Sequence, residues 1–178
     1  ARGSFTFPAK FMLAAAMNPC PCGYLGDPSH ECSCSRAQID RYLSKISGPL
    51  LNRIDIQIEV SPVKYDDLKN NTAEEPSCEI KKRIIKARNI QQKRYTGLGI
   101  MTNSELSSKY ISKYCKINRE SEQLLKCAFE RLGLSARAYN KILKVARTAA
   151  DLEGSENIET EHIAEAIQYR SLDRKYWR

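Results

Sequence analysis

Nothing in these 178 residues is apolar for long enough to cross a bilayer. The longest apolar stretch runs only from Phe11 to Met17, against the roughly 18 or more residues of a spanning helix. Glycine and proline are sparse, at 8 and 7 residues, which excludes collagen-like and Pro/Gly-rich low-complexity chains. The first residues, Ala1-Arg2-Gly3-Ser4, include no initiator Met and open no signal-type apolar stretch. The chain therefore reads as an internal piece of a longer protein, without a targeting segment and with a cytoplasmic location expected. Also missing are a Gly-x-x-x-x-Gly-Lys-Ser/Thr loop to wrap phosphates and an acidic strand end to hold magnesium. Hydrolysis of a nucleoside triphosphate by these residues alone is excluded on that ground.

What is present is the balance of an ordinary globular protein, 42% hydrophobic and 28% charged. Of the seven cysteines, Cys20, Cys22, Cys32 and Cys34 fall within fifteen residues, while Cys78, Cys115 and Cys127 are scattered as small hydrophobes. An odd count without a signal segment points to a reducing compartment, where clustered thiols suggest metal before disulfides. The formal charge is +8, and residues 1–60 carry six basic against five acidic groups, so the excess is C-terminal. That excess favours polyanionic partners, nucleic acid above all.

The pattern along the chain predicts an α/β segment followed by an all-α bundle, predominantly helical. Phe11 to Ala16 is a continuous apolar run ended by Asn18-Pro19, as in a strand buried on both faces. Ser35 and Gln38 form a capping-box pattern ahead of a helix over about 36–46. Ile54-Asp55-Ile56-Gln57-Ile58-Glu59-Val60 alternates strictly, as in a strand with one buried face. Residues 69–76 have the composition of a linker, so the boundary is expected between a core segment, 1–70, and a helical lid, 77–178. Ser77 is expected to cap a basic helix to Arg94 with Ile80, Ile84 and Ala87 inward. Two helices follow, one facing inward with Leu124, Leu125, Ala128, Phe129 and Leu132, the next with Ile142, Val145, Ala146 and Ala149. A last helix is capped by Thr160 and buries Ile163 and Ile167.

Five stretches carry a resemblance: Ala15-Ala16-Met17-Asn18-Pro19-Cys20-Pro21-Cys22-Gly23-Tyr24, Ser47 to Asp55, Leu132 to Tyr139, Val145 to Thr148, and Tyr169 to Arg174. In this order and spacing the chain resembles the C-terminal part of the magnesium-chelatase-like AAA+ ATPases, and within them the bacterial competence branch. The resemblance covers nearly the whole chain. It implies the end of an AAA+ core and its helical lid, in a parent that binds ATP and Mg²⁺ and assembles as a homo-oligomeric, hexameric ring. For the competence branch it implies a helicase-like motor driving DNA branch migration in natural transformation. No membrane partner is expected.

The same resemblance assigns roles to three residues. Asn18, at the C-terminal end of the first strand, where open α/β sheets place ligand-contacting groups, corresponds to sensor 1; read by itself, Asn-Pro starts a turn. Arg53 corresponds to an arginine finger reaching a neighbouring subunit's ATP, a task suited to a planar, permanently charged fork; the plainer reading is an ion pair with Asp55. Arg137, in the first turn of a lid helix where its charge opposes the dipole, corresponds to sensor 2. Arg147, further along, reads as a lid-surface arginine.

Two further groups are read from the residues. Cys20, Cys22, Cys32 and Cys34 flank a nine-residue loop and can close a tetrahedral Zn²⁺ site, with His30 as a substitute for one sulfur; otherwise they are reduced thiols in a loop. Lys81, Lys82, Arg83 and Lys86 share one helix and can follow a DNA backbone, or else form a solvated face. The tail Arg174-Lys175-Tyr176-Trp177-Arg178 interleaves aromatics with charge and can stack on bases or pack on the lid. Two rival functions remain at this point: a true magnesium-chelatase subunit, and a zinc-stapled nucleic-acid- or protein-binding module with no motor role.

Overall fold

The computed structural model describes residues 4–7, 9, 11–62 and 75–170; the predicted linker over 69–74 and the basic-aromatic tail lie outside them. The chain divides into two compact units, residues 1–45 and 46–178.

In the first unit one helix forms, α1 (Arg36–Leu43). Its start follows the predicted chemistry: the Ser35 side chain accepts from Gln38 N while Gln38 reaches back to the Ser35 backbone, satisfying two otherwise orphaned N–H groups. Ile39 and Leu43, one turn apart, are buried. Only Cys20 joins them, so three residues make the entire buried interior of this unit among those described.

The predicted strand at Phe11–Ala16 does not form a ladder, and neither does Ile54–Val60. No strand occurs among the described residues, whose one bridge joins Ile117 and Ile158 in parallel. Phe11, Met12 and Leu13 are exposed by 77%, 94% and 62%, and Val60 by 84%. The alternation and the apolar run are correct signals for a sheet, but a lone strand has no partner for its N–H and C=O groups and no facing layer to bury its side chains.

The second unit begins with α2 (Gly48–Leu51), capped by the Ser47 side chain and carrying Pro49 in its first turn. The bundle proper comprises α3 (Ser77–Arg94), a 3₁₀ turn (Asn103–Glu105), α4 (Ser108–Tyr114), α5 (Arg119–Leu132), α6 (Ala136–Glu153) and α7 (Thr160–Gln168). The central helix is α6, packed by α3, α4, α7 and the 3₁₀ turn, while α5 also packs on α7. Ile142 and Ala146 of α6 join Leu125, Ile158, Ile163 and Ala166 in a continuous core. Gly133, at φ +57°, ends α5 in the left-handed region, and Ser135 caps α6 by accepting from Ala138 N.

Three inward assignments are corrected. Ile80 and Ile84 are 40% and 47% exposed, because α3 meets α6 only through its C-terminal half, where Ala87 and Gln91 are buried. Phe129 is 37% exposed, beyond the edge of the apolar stripe anchored by Leu125. Caps also differ: Pro76 precedes α3, and Glu159 precedes α7, where His162 closes the capping box.

Candidate functional site

In the first unit the four clustered thiols converge. Cys20 Sγ stands 3.3 Å from Cys22 Sγ and 3.7 Å from Cys32 Sγ, Cys22 and Cys32 are 3.5 Å apart, and all four sulfurs, with Cys34, lie within 4.8 Å of one another. These separations exclude disulfides, whose sulfurs sit about 2.05 Å apart. Cys20 is buried and the other three are half-buried. A tight turn brings Cys20 to Cys22, with Gly23 N donating to Cys20 O at 3.1 Å and Gly23 held at φ +87°. The Tyr24 backbone N–H, chiefly, together with the surrounding thiols holds Cys22 down at about 5, against the opposing effect of burial. Cys32 accepts from the Cys34 backbone, which lowers it, yet burial and the Cys22 and Cys20 sulfurs prevail and push it up to about 12.

The loop between the cysteine pairs is folded on itself. The Asp27 carboxylate accepts from Ser29 Oγ, Ser29 N and His30 N at 2.6, 2.7 and 3.2 Å. The His30 ring stacks on Tyr24, 4.9 Å between centroids. His30 is therefore not a ligand substitute; the residues brought together are the four cysteines.

Asn18 is exposed, with its side chain over the cysteine turn: a Cβ added at Gly23 would stand 3.8 Å from Asn18 Nδ2. Its neighbour Pro19 joins it directly to Cys20.

In the second unit, Arg53 and Arg137 are both exposed, and among the described residues neither guanidinium has a carboxylate partner. The ion pair expected between Arg53 and Asp55 is absent, because Asp55 pairs with Lys141 at 2.7 Å. Lys141 Nζ also donates to Arg53 O at 2.5 Å, and Arg170 Nη1 to Ile54 O at 2.5 Å. Lys141 lies one helical turn beyond Arg137 in α6, so the loop carrying Arg53 is tied to the helix that begins with Arg137.

Arg147 is the clearest departure from expectation. It is 3% exposed and donates through Nε to Asp151 at 3.1 Å, and through Nη1 and Nη2 to Glu156 O and Ser155 O at 2.8 and 2.7 Å. Asp151, fully buried, also receives both Nη groups of Arg94 (2.9 and 2.5 Å) and Asn103 Nδ2 (2.8 Å). Burial alone would raise the Asp151 pKa, but these bonds and the two guanidinium charges overcome it and hold the carboxyl below its ordinary value.

Of the four α3 residues read as a DNA track, Lys82 pairs with Glu79 at 2.7 Å and Arg83 with Glu75 at 2.8 Å. Lys86 approaches Gly154, at the C-terminus of α6, and Lys81 is exposed. A groove of about 690 Å³ near Gly154 is lined by Glu120, Glu153, Glu159 and Glu161 and by His162. That acidic lining repels phosphate, and it includes neither Arg53 nor Arg137.

Comparison with known proteins now bears on these residues. Residues 74–170 match the family described as "Magnesium chelatase, subunit ChlI C-terminal", and residues 1–68 match "Magnesium chelatase, subunit ChlI". The chain belongs to the magnesium-chelatase ChlI family. Among relatives of this ChlI-family chain, competence protein ComM of Haemophilus influenzae is 42% identical over 176 residues, 98% of the chain and 33% of ComM. The YifB proteins of Salmonella typhimurium and Escherichia coli are 39% and 40% identical, each over 97% of the chain and 33% of YifB. The ChlI-family chain thus spans about a third of the length of these relatives. Sequence reasoning missed the Arg94–Asn103–Asp151–Arg147 network. The one available signal was the four-residue spacing of Arg147 and Asp151 on a helix; nothing local marks Arg94 or Asn103 as their partners.

Proposed function

We propose that this chain is the nucleotide-sensing and lid portion of an ATP-driven ring motor that remodels DNA, with Asn18 contacting nucleotide, Arg53 reaching the ATP of a neighbouring subunit and Arg137 sensing nucleotide from the lid. The observation that carries this reading is the match to competence protein ComM over 98% of the chain. The state of the arginines supports it. Arg94 and Arg147 spend their charge on Asp151, whereas Arg53 and Arg137 keep theirs exposed and without a carboxylate among the described residues. A guanidinium in that state is available to phosphoryl oxygens, which it contacts bidentately. The reading assigns ATP and Mg²⁺ to the whole protein and makes Zn²⁺ the ion suited to the four thiols.

The DNA component is tested by fluorescence anisotropy of the chain with single-stranded DNA across a salt series. Binding is expected to weaken linearly in log–log form. Changing Lys81, Lys82, Arg83 and Lys86 to Glu is expected to flatten the slope by about 0.7 for each phosphate no longer neutralised. The ion pairs of Lys82 and Arg83 do not forbid this, since exposed pairs are worth only about 0–1 kcal/mol. No binding at low salt would remove the basic helix as a DNA surface. A rival reading, a pigment-chelatase subunit, is favoured by the description of the family models. ATP hydrolysis by the full-length protein separates the two: acceleration by DNA belongs to the motor, indifference to DNA to the chelatase.

A further inference from the structure

We infer that Cys20, Cys22, Cys32 and Cys34 hold a single Zn²⁺ ion, and that by closing the Cys20–Gly23 turn this ion fixes the side chain of Asn18. Four sulfurs bound tetrahedrally to one ion at about 2.3 Å lie about 3.8 Å apart. Three of the pairs here stand at 3.3, 3.5 and 3.7 Å, with all four sulfurs inside 4.8 Å. The arrangement is already close to a one-ion tetrahedron. A multi-iron cluster binds its thiolates through different iron atoms and needs them farther apart than one such edge. Hard cations such as Mg²⁺ and Ca²⁺ take oxygen ligands and have no affinity for an all-sulfur set.

Within this chain the cluster is also the main tie of the unit. Among its described residues only Cys20, Ile39 and Leu43 are buried, and one of the three is a member of the cluster. Metal binding in such small units is itself folding free energy. The two cysteine pairs bracket the Asp27–His30 loop, and Cys34 runs straight into the Ser35 cap of α1. One ion would therefore join the exit of the Asn18 segment, the loop and the start of α1.

The consequence for Asn18 follows from position. Pro19 leaves one restricted peptide unit between Asn18 and the buried Cys20. The Asn18 amide lies over Gly23, whose positive φ and bare Cα the turn requires. The ion site stands on the sulfur geometry alone; its importance for nucleotide contact rests on the reading of Asn18 given above.

The test uses the whole chain. Metal analysis after expression in zinc-containing medium is expected to find one zinc per chain. Replacement by Co²⁺ is expected to produce the visible absorption of a tetrahedral tetrathiolate. Cys20→Ser should abolish both, and Cys78→Ser should change neither. In ¹⁵N spectra, the Asn18 side-chain amide pair, identified by its loss in Asn18→Ala, is expected to be dispersed in the zinc form. It should collapse to the random-coil position on chelation, while the resonances of α5 and α6 stay in place. Chelation acts on the unmutated chain, so a variant that fails to fold does not decide the matter. Absence of zinc together with no tetrathiolate spectrum overturns the site. Stoichiometric zinc with an Asn18 pair indifferent to chelation overturns the positioning. If Asn18→Ala leaves ATP hydrolysis by the full-length protein unchanged, the nucleotide-contact reading fails while the metal and spectral results stand.

Discussion

Arg53→Ala is expected to lower the ATPase kcat of the full-length protein by about 10³- to 10⁵-fold, the range for an arginine supplied to a phosphoryl-transfer site from a neighbouring subunit. At about 1.36 kcal/mol per decade, even the lower bound is about 4 kcal/mol of transition-state stabilisation. The geometry favours so large an effect because the guanidinium has no carboxylate partner among the described residues while its backbone is held. Ser47 caps α2, Lys141 grips Arg53 O and Asp55, and Arg170, only 1% exposed, grips Ile54 O. A charge carried on a restrained loop meets a developing phosphoryl charge with little further ordering. Arg53→Lys should not restore the rate, since a point charge on a flexible stem does not reproduce a planar fork. If Arg53 acts across subunits as proposed, Arg53→Ala chains mixed into rings of the unaltered full-length protein should depress activity more than in proportion to their share. A surface role predicts the opposite pattern: stability altered by no more than about 1 kcal/mol and kcat within a few-fold. A kcat loss below tenfold would therefore remove Arg53 from the ATP site.

The helices were legible because their signals are local. Ser35 with Gln38, Ser135, and Gly133 at the end of α5 each satisfy or terminate backbone within one turn, and α3 spans the Ser77–Arg94 range that its periodicity implies. The strands were not realised because the periodicity of Phe11–Ala16 and Ile54–Val60 specifies a sheet-forming segment but cannot supply its partners. Ile80 and Ile84 follow the same logic: their spacing marks a face of α3, yet whether that face is covered depends on how far α3 runs along α6. In the candidate site, the convergence of the four cysteines was legible from their spacing. The burial of Arg147 was not, because a buried cation requires a partner as distant in sequence as Asn103 and a carboxylate shared with Arg94. The freedom of Arg53 from Asp55 was likewise invisible, since it depends on Lys141, 88 residues away.

The same network yields the largest expected effect on stability. Asp151→Asn should cost the helical bundle about 3–5 kcal/mol, the range for breaking a buried pair by removing one partner. Asp151 is fully buried, and its carboxylate is the only acidic group shared by Arg94 and Arg147 among the described residues. An amide keeps the volume but removes the charge and turns a donor toward the donors of Arg94, Arg147 and Asn103. At about 4–8 °C per kcal/mol for a domain of this size, the midpoint of thermal unfolding should fall by tens of degrees. The effect carries its own pH signature. The carboxyl is held below its ordinary value in the folded state, so the unfolded chain, with Asp near 3.9, takes up its proton first as the pH falls. The contribution is therefore fully present above about pH 4 and is lost as the pH drops through the folded pKa. Denaturant unfolding of the two proteins should differ by a constant amount from pH 5 to 8, begin to converge below about pH 4 as the unfolded chain takes up its proton, and meet once the pH has dropped through the folded pKa, where the protonated carboxyl and the amide are equally neutral. A cost below 1 kcal/mol, or a difference that persists unchanged in acid, would show that Arg94 and Arg147 find other partners and that Asp151 does not hold α3 to α6.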